Sequence, residues 1–450
     1  MQFSPQIFSQ LSKPEKTMRI LQAALNAADP WRAVHRELLV SNSGFQVGEC
    51  NYCFDEYNHI YLAGIGKAVL PMARGINDLL GERIESGYLI AKHMDQDQKC
   101  LPEKYQIHLG SHPIPDEQSI LAGRGLIHFL RQVSNRDILL CLVSGGGSAL
   151  MTAPVPGIEL DDIRKLTRML LECGASIIEI NAIRSVLDIL KGGGLAQMIQ
   201  PAQTVSLILS DVIGDRVDMI ASGPTSSTLP SWRSAVEILR KYSLWDRCPE
   251  RIRLYLELQK ANSPLQELFK REFQQPQNLV IASNRISLDA AMEQAAHEGF
   301  ATTMISDQME GEASEVGLTL SRKFSDYINQ GRLKRPVMWV GGGETTVTIC
   351  GNGKGGRNQE LALAAVEPMA GLADVALITL ATDGEDGPTD AAGAIVTGDT
   401  YARGKQNSMI PSDYLAINNS YEYFDQLNSL IRLGPTGTNV NDLCFLFAYD

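Results

Sequence analysis

Six short apolar runs, spread along the chain, constrain its fold more than any other feature of the sequence. Each run is mostly apolar instead of alternating, and each is followed within two residues by glycine, serine or threonine. The runs are residues 60–63, 138–143, 204–209, 279–282, 336–340 and 375–380. Such runs are typical of strands buried on both faces, as in a parallel sheet covered by helices. The sequence therefore predicts an α/β fold.

Helical segments separate these runs and indicate where the domains divide. Two helical stretches lie between residues 161 and 191, and a helix-rich zone runs from residue 232 to residue 273. That zone ends in Gln-Gln-Pro-Gln at residues 274–277, which predicts a linker. A chain of 450 residues is long enough for two or three domains. We therefore predict an N-terminal domain over residues 1–275 and a C-terminal domain over residues 276–450.

Composition and charge restrict the classes of partner. Forty basic residues against 52 acidic ones give a net charge of −12, which disfavours a broad basic surface for nucleic acid. The uncharged stretch 138–158 contains glycines and prolines that a membrane-spanning helix avoids, and no signal-peptide pattern opens the sequence. Eight scattered cysteines fit a reduced compartment. We expect a cytoplasmic protein that binds small molecules and binds neither nucleic acid nor membranes. A homodimer is compatible with these features.

Three common nucleotide and catalytic motifs fail, each at one or two residues. A P-loop would need glycine in place of Tyr61 and serine or threonine in place of Ala68. A dinucleotide-binding fingerprint would need glycine in place of Val69. A nucleophile elbow would need glycine in place of Leu150. None of these three motifs is therefore predicted.

The cysteine and histidine pairs are weak signals. Cys50 and Cys53 supply only two of the four ligands that a structural zinc site needs. His108 and His112 are four residues apart, but Pro113 disfavours one shared helix. We expect both histidines to lie in a loop.

Two glycine turns at predicted strand ends are candidates for anion binding. The first carries a lysine that could place positive charge on a phosphoryl group. The second opens a helix, so its backbone N–H groups and the helix N-terminus could face a phosphate or carboxylate. The residues are Gly64, Gly66 and Lys67 in the first turn, and Ser144, Gly145, Gly146, Gly147 and Ser148 in the second. A solvated lysine and a tight strand-to-helix turn without a ligand are the structural alternatives.

Acidic, amide and arginine residues near the other runs are candidates for metal and substrate contacts. Carboxylates at strand ends can hold Mg²⁺ or accept a proton from a hydroxyl, although aspartate is also favoured in turns. The candidates are Asp211 and Asp215 after 204–209, Asn284 after 279–282, and Asp383 and Asp386 after 375–380. Arg357, in the glycine-rich segment 353–360, could hold a carboxylate or phosphate through two N–H groups, or could lie in a mobile surface loop.

Motifs along nearly the whole chain, in a fixed order, resemble those of one family. The stretches are GIGKA (64–68), SHPIPDE (111–117), LVSGGGSALMTAP (142–154), GASIIEINAIR (174–184), LKGGGLAQ (190–197), SLILSDVIGD (206–215), IASGPT (220–225), SNR (283–285), EGEA (310–313), GGGETTVTICGNGKGGRNQELAL (341–363), TDGEDGPTDAAGA (382–394) and GPTGTNVNDL (434–443). Together they are much more specific than any single glycine motif. The chain resembles the glycerate 2-kinases of the MOFRL type, which have also been called hydroxypyruvate reductases.

The resemblance implies a fold and a reaction. It implies a Rossmann-like three-layer N-terminal domain and a smaller α/β C-terminal domain, with the active site in the cleft between them. It implies ATP-dependent phosphorylation of D-glycerate at the 2-hydroxyl, giving 2-phosphoglycerate and ADP, with a divalent metal, Mg²⁺. The family's catalytic lysine corresponds to Lys67, and its essential arginine corresponds to Arg357.

The chain departs from the family pattern at four positions. The family often has a Lys-His pair followed by a serine before its Lys-Gly-Gly segment, and a second acid after its Gly-Asp. The residues here are Ser185, Val186, Asp188 and Arg216. If the missing Lys-His pair touches nucleotide or substrate, activity or specificity could be altered.

These features define a hypothesis for the mechanism and two rivals. MgATP lies near residues 144–148, Lys67 stabilises charge on the transferring phosphoryl group, and Arg357 holds the carboxylate of glycerate. Asp211 orients the 2-hydroxyl or holds Mg²⁺. The rivals are an oxidoreductase acting on hydroxypyruvate and a non-catalytic sugar-acid-binding relative.

Overall fold

The chain forms two compact units. A computed structural model describes residues 3–93, 100–227, 231–261, 275–332 and 334–450. One unit consists of residues Ala33–Ile281, and the other consists of Met1–Arg32 together with Ala282–Asp450. We call them the parallel-sheet unit and the mixed-sheet unit, after the sheets described below. The chain therefore divides at Ile281 instead of residue 275, and its first 32 residues belong with the C-terminal part instead of the N-terminal domain.

Strands and helices alternate along most of the described chain. The strands are β1 Leu38–Val40, β2 Gly44–Val47, β3 Cys50–Cys53, β4 Ile60–Ile65, β5 Ile84–Ala91, β6 Tyr105–Leu109, β7 Ile138–Val143, β8 Gln203–Leu209, β9 Gln277–Ala282, β10 Ala301–Met309, β11 Val337–Gly343, β12 Val375–Ala381, β13 Gly393–Thr397, β14 Leu430–Ile431 and β15 Asp442–Ala448. The helices are α1 Pro5–Phe8, α2 Pro14–Ala28, α3 Pro30–Glu37, α4 Val69–Leu80, α5 Glu117–Leu130, α6 Gly147–Leu150, α7 Leu160–Glu172, α8 Ile177–Val186, α9 Gly194–Met198, α10 Trp232–Lys241, α11 Glu250–Ala261, α12 Asn284–His297, α13 Ala313–Asn329, α14 Arg357–Ala365, α15 Thr400–Gln406, α16 Pro411–Leu415 and α17 Ser420–Gln426.

The parallel-sheet unit has the doubly wound strand order. Its six-stranded sheet runs β6-β5-β4-β7-β8-β9, and β4 pairs in parallel with both β5 and β7. The chain therefore builds outwards in one direction after β4 and in the other direction after β7. This reversal is the topological switch point of a Rossmann-like sheet, where ligands bind beyond the carboxyl ends of the strands. The predicted parallel α/β sheet is confirmed for this unit.

Helices cover both faces of the parallel sheet. Ile65 in β4 belongs to the same core cluster as Leu126 of α5. Gly64, the preceding residue, faces the other side, where a Cβ atom would lie 2.3 Å from Val69 of α4. Because neighbouring strand residues point to opposite faces, α4 and α5 lie on different sides of the sheet. The unit therefore has the three layers implied by the resemblance.

A satellite helical core completes the parallel-sheet unit. Helices α7, α8, α10 and α11 bury Leu166, Ile183, Leu239 and Ile252 against one another. The predicted helix-rich zone is present as α10 and α11, whereas residues 262–274, including the start of the predicted linker, lie outside the described residues. A small antiparallel meander, β1-β2-β3, belongs to the same unit.

The sheet of the mixed-sheet unit contains antiparallel strand pairs, whereas an all-parallel sheet was expected. Its order is β10-β11-β15-β12-β13-β14, and β15 runs antiparallel to both β11 and β12. The expectation of parallel neighbours was therefore wrong for β12, which pairs antiparallel with both β15 and β13. It was confirmed for β11, which pairs in parallel with β10. Both strands are apolar because each face of the sheet packs on its own core: Trp339 contributes to one core cluster and Met338 to the other. Burial on both faces, not strand direction, produces the pattern.

The N-terminal helix α2 belongs to the mixed-sheet unit because of its apolar face. Ile20, Leu21 and Leu25 are fully buried in one core cluster with Phe445 and Phe447 of β15. Helix α2 packs beside α12. Among the described residues, no helix combines the length and apolar character that crossing a membrane requires.

Replacing Leu25 with alanine is expected to destabilise the mixed-sheet unit. The side chain is fully buried, and removing a buried leucine costs about 2–5 kcal/mol through lost burial and the cavity that remains. Glu15→Ala, at an exposed position of the same helix, should change the free energy of unfolding by no more than about 0.5 kcal/mol. Calorimetric unfolding of the full chain measures both. Equal midpoints for the two variants would contradict this packing of α2.

Candidate active site

Two turns meet at the switch point of the parallel sheet. The backbone N–H of Ser144 donates to the carbonyl of Ile65 at 2.9 Å, and the N–H of Lys67 donates to the carbonyl of Gly145 at 3.0 Å. The buried hydroxyl of Ser144 also accepts the N–H of Ala68 at 3.0 Å. These three bonds fix the turn after β4 against the turn after β7. The structure therefore brings the two predicted anion-binding turns together.

The glycines of the second turn make room for two charged side chains. Gly146 has a φ of 80°, and a Cβ atom there would lie 3.0 Å from Cε of Lys67. At Gly145 a Cβ atom would lie 1.9 Å from Oδ2 of Asp211. Any side chain at these two positions would displace the lysine or the aspartate. Lys67 and Asp211, predicted separately from the sequence, therefore lie against the same loop.

The remaining residues of the two turns mainly make packing contacts and hydrogen bonds within the protein. Gly64 lies within β4 and packs against α4. A Cβ atom at Gly66 would meet the hydroxyl of Ser144, and one at Gly147 would meet Ala221. The hydroxyl of Ser148 lies 2.7 Å from that of Ser222. The close contacts at Gly64, Gly66 and Gly147 are reasons for glycine that need no ligand.

Three basic side chains raise the electrostatic potential beside this loop. His112 lies in the loop after β6, and its Cδ2 would be 3.1 Å from a Cβ atom at Gly146. Burial, together with the charges of Lys67, Lys92 and Arg184, lowers the pKa of His112 to about 4. This convergence could not be predicted from the sequence, because the residues come from separate segments.

His108 is placed differently from its predicted loop position. It lies in β6, and its ring stacks on that of Tyr88 with 4.3 Å between the centroids. Pro113 excludes a shared helix but leaves an extended strand before it. The loop prediction was therefore wrong for His108, whereas His112 does lie in a loop.

Arg357 is held between two carboxylates of the mixed-sheet unit. It is the first residue of α14, and its Nη1 donates to Oε1 of Glu344 at 2.6 Å. Its Nε lies 2.5 Å from Oδ2 of Asp442. Glu344 directly follows β11, and Asp442 opens β15 opposite Gly343. The arginine was predicted from the sequence as a site residue, but its two acidic partners were not.

This arrangement bears on the predicted role of Arg357. One guanidinium already faces two carboxylates, so the cluster carries an excess of acid groups before any substrate carboxylate is added. Burial raises the pKa of Asp442 to about 7, although Arg357 acts in the opposite direction. A carboxyl group that titrates near neutral pH is suited to accepting a proton. The geometry therefore favours a positioning role for Arg357.

Asp386 fixes the start of the helix that carries Arg357. Its Oδ1 accepts the backbone N–H of Asn358 at 3.1 Å, and its Oδ2 accepts the N–H of Gln359 at 2.9 Å. The side-chain amide of Gln359 donates to Oδ2 as well, at 3.0 Å. Both oxygens of this buried carboxylate are thus used by the first turn of α14. Asp386 was predicted as a metal ligand, but its contacts are those of a helix cap.

The two predicted substrate-binding residues are also placed in the mixed-sheet unit. The amide Nδ2 of Asn284 donates to the carbonyls of Val440 and Asp442, both at 2.9 Å. Asn284 is therefore buried beneath Asp442 and holds its backbone. Asp383 lies in the turn after β12, where its Oδ1 accepts the N–H of Glu385 at 3.3 Å.

Asp215 remains a candidate for metal contacts together with Asp211. Both lie in the turn that follows β8, and Asp215 adopts a left-handed conformation with a φ of 51°. Among the described residues, no group of three or more His, Cys, Asp or Glu side chains could hold a metal ion by itself. A metal ion that arrives with phosphate groups needs only one or two carboxylates from the protein.

The departures from the family pattern are accommodated within the parallel-sheet unit. Asp188 is buried, and its Oδ2 lies 2.9 Å from Nζ of Lys191 and accepts the N–H of Ala153 at 2.9 Å. Val186 joins the core of the helical satellite. Ser185 lines a cavity of about 240 Å³ together with other residues that include Arg216. Asp188 is therefore part of the packed structure.

Fold and site together define a class of protein. A doubly wound sheet places a lysine, a serine-glycine loop and an aspartate at its switch point, which is the ligand-binding edge of such sheets. A lysine and backbone N–H groups in this position are suited to a phosphoryl group. The class is an α/β phosphotransferase.

Comparison with known proteins gives the family. Residues 16–257 match a domain of unknown function (DUF4147), and residues 337–442 match the MOFRL family. The chain is 39% identical to the glycerate 2-kinase of Pyrococcus horikoshii over 95% of both chains, and 36% identical to the D-glycerate 2-kinase of Thermotoga maritima over 97% and 99% of the two chains. The crystal structure of a Thermotoga maritima glycerate kinase superposes with a TM-score of 0.84 at 34% identity, covering 96% of this chain and 99% of that one. The chain belongs to the glycerate kinase family.

Replacing Asp386 with alanine is expected to destabilise the protein by about 2 kcal/mol or more. The change removes a helix cap and leaves buried N–H groups of α14 without an acceptor. Asp390→Ala is the control, because this nearby carboxylate is exposed and pairs with Arg432 at the surface. The control should lose less than about 1 kcal/mol. Thermal unfolding measures both, and an Asp386→Ala midpoint no lower than that of the control would contradict the capping role.

Proposed function

We propose that the protein transfers the γ-phosphoryl group of MgATP to the 2-hydroxyl of D-glycerate, releasing 2-phosphoglycerate, ADP and a proton. Relatives named for glycerate 2-kinase activity align with nearly the whole chain. The structural observation that carries the proposal is the fixed position of Lys67 at the switch point, beside the serine-glycine loop.

Lys67 stabilises negative charge on the transferring phosphoryl group. Its backbone is tied to Gly145, and its side chain runs over Gly146. Among the described residues, no acidic side chain pairs with its ammonium group. The positive charge therefore remains available to phosphoryl oxygens, whose charge develops as the bond to the leaving oxygen breaks.

Asp211 contributes a carboxylate to the Mg²⁺ of MgATP. Its side chain lies against Gly145, next to the N–H groups of the loop. Mg²⁺ in phosphotransferases is commonly bound by one or two carboxylates together with phosphate oxygens. Asp215 in the same turn is the second candidate. Asp386 is not assigned to the metal, since both of its oxygens accept hydrogen bonds from α14.

Within the mixed-sheet unit, we assign to Asp442 the role of a proton acceptor. Burial places the pKa of its carboxyl group at about 7, which is close to the pH at which such an enzyme operates and therefore suits a general base. Arg357 and Asn284 position Asp442 through its carboxylate and its backbone carbonyl. Arg357 then acts through its two acidic neighbours and not as the sole clamp for the carboxylate of glycerate.

Replacing Lys67 with methionine is expected to lower kcat by about 10²–10³-fold or more, since it removes charge from the transition state without changing side-chain length greatly. Lys165→Met, at an exposed position of α7, is the matched control and should retain normal turnover. The measurement is ADP release with D-glycerate and MgATP, with thermal unfolding as a check on folding. A folded Lys67→Met variant with near-normal kcat would refute this role.

The phosphorylated hydroxyl is identified by the fate of the product. We expect enolase to consume the product directly, because enolase acts on 2-phosphoglycerate and not on 3-phosphoglycerate. ADP release with a product that enolase leaves untouched would show that a different hydroxyl is phosphorylated. Oxidation of NADH with hydroxypyruvate in the absence of ATP would instead support the oxidoreductase.

A further inference from the structure

Arg184 is a half-buried cation with no acidic partner among the described residues. It lies in the last turn of α8, and no hydrogen bond or ion pair to its guanidinium occurs within the described part of the chain. Burial alone disfavours its charged form and lowers its pKa. Since a buried charge is costly unless it is paired, the chain maintains an unfavourable arrangement at this position.

Lys191 shows how the same unit treats a structural cation. Lys191 is buried, and its ammonium lies 2.9 Å from the carboxylate of Asp188. The backbone N–H of Leu190 donates to the other oxygen of Asp188 at 2.9 Å. The charge of Lys191 is thus neutralised within the protein, whereas that of Arg184 is not.

The unpaired cations converge beside the serine-glycine loop. His112 lies against Gly146, as does the side chain of Lys67. Helix α8 reaches this loop through Asn181, three residues before Arg184: the hydroxyl of Ser222, 2.7 Å from that of Ser148, donates to Oδ1 of Asn181 at 3.2 Å. Lys92 directly follows β5, whose Ile90 carbonyl accepts the N–H of Gly66 at 3.1 Å.

The charges of Lys67, Lys92 and Arg184 all act on the imidazole of His112. These cations come from three separate places: the turn after β4, the end of β5 and helix α8. Their convergence at one point of the switch-point edge indicates an anion of high charge.

We propose that Arg184, Lys67 and Lys92 form a polyphosphate subsite that holds the phosphate chain of the nucleotide, with His112 in its wall. The identity of the nucleotide rests on the proposed function, whereas the anion subsite does not. The three cations outnumber the carboxylate of Asp211, which lies against the same loop. The excess of two positive charges is more than a single carboxylate of charge −1 would balance, and it suits a polyphosphate. Arg184, whose planar guanidinium can bind two phosphate oxygens at once, supplies the directional contacts.

The subsite couples anion binding to the protonation of His112. The charged groups that act on His112 are Lys67, Lys92 and Arg184, all cationic. A bound polyanion offsets these charges, so the pKa of His112 rises from its value of about 4 in the free protein. Protein with bound anion takes up a proton at pH values between the free and the bound pKa, and affinity for the anion therefore increases as the pH falls through this range.

Calorimetric titration with inorganic tripolyphosphate, without nucleotide or metal, tests the subsite. We expect Arg184→Met to bind tripolyphosphate at least about tenfold more weakly than the unmodified chain. Arg184→Lys keeps the positive charge but lacks the planar guanidinium, and its affinity for tripolyphosphate should lie between those of Arg184→Met and the unmodified chain. Arg168→Met, at an exposed position of α7, is the matched control and should bind normally. NMR titration of His112 should show its pKa rising when tripolyphosphate is added.

Three outcomes would overturn the proposal. The first is a folded Arg184→Met variant that binds tripolyphosphate as tightly as the Arg168→Met control. The second is a pKa of His112 that does not change with tripolyphosphate. The third is a pKa of His112 that responds to D-glycerate but not to tripolyphosphate, which would assign the subsite to the acceptor. If the chain instead binds tripolyphosphate as expected but releases no ADP with D-glycerate, the proposed function fails and the polyphosphate subsite stands.

Discussion

The hydrogen bonds between the turns after β4 and β7 determine most of what the parallel-sheet unit can do. They join two segments separated by more than seventy residues at the point where the sheet reverses its winding. Because Ser144 is buried and its hydroxyl accepts the N–H of Ala68, the start of α4 is fixed to the serine-glycine loop. Lys67 therefore takes its place from backbone geometry, with no partner needed for its side chain. A preorganised cation of this kind spends little free energy on reorganisation when charge develops on a substrate.

Charge is distributed differently in the two units. Near the serine-glycine loop, Lys67 and Arg184 have no acidic partner among the described residues, and they depress the pKa of a neighbouring histidine. In the mixed-sheet unit, Arg357 faces two carboxylates, and burial raises the pKa of one of them. The first arrangement favours anions, and the second favours protons or hydroxyl groups.

Much of the fold could be predicted because strands buried on both faces have a distinctive composition. The runs at 138–143 and 375–380 became strands β7 and β12 with nearly the predicted bounds. The antiparallel pairing of β12 could not be predicted, because its neighbour β15 is an apolar strand at the far end of the chain that inserts between β11 and β12. That α2 belongs to the mixed-sheet unit could not be predicted from the sequence either. Its apolar face can cover any core, and only the tertiary packing shows which core it covers.

The residues of the candidate site were also predictable only where they follow neighbouring parallel strands. Lys67, the serine-glycine loop and Asp211 could be predicted together, because the carboxyl ends of neighbouring parallel strands meet at one edge. The acidic partners of Arg357 could not, since Asp442 lies at the amino end of an antiparallel strand 85 residues further along the chain. Asp386 lies after a strand end as predicted, but its carboxylate oxygens accept hydrogen bonds from the first turn of α14. Position at a strand end thus indicates where a carboxylate lies, and the competition between backbone N–H groups and ligands decides what it binds.

The departure at Asp188 illustrates how a changed residue can alter a site indirectly. Its carboxylate neutralises Lys191 and accepts two backbone N–H groups, so most of its hydrogen-bonding capacity is used within the parallel-sheet unit. Breaking a buried ion pair leaves an uncompensated charge and costs several kcal/mol, typically about 3–5. Asp188 is therefore committed to Lys191, and this commitment leaves the charge of Arg184 available to a ligand. The aspartate at position 188 is therefore explained by its ion pair with Lys191 and need not indicate the loss of a function.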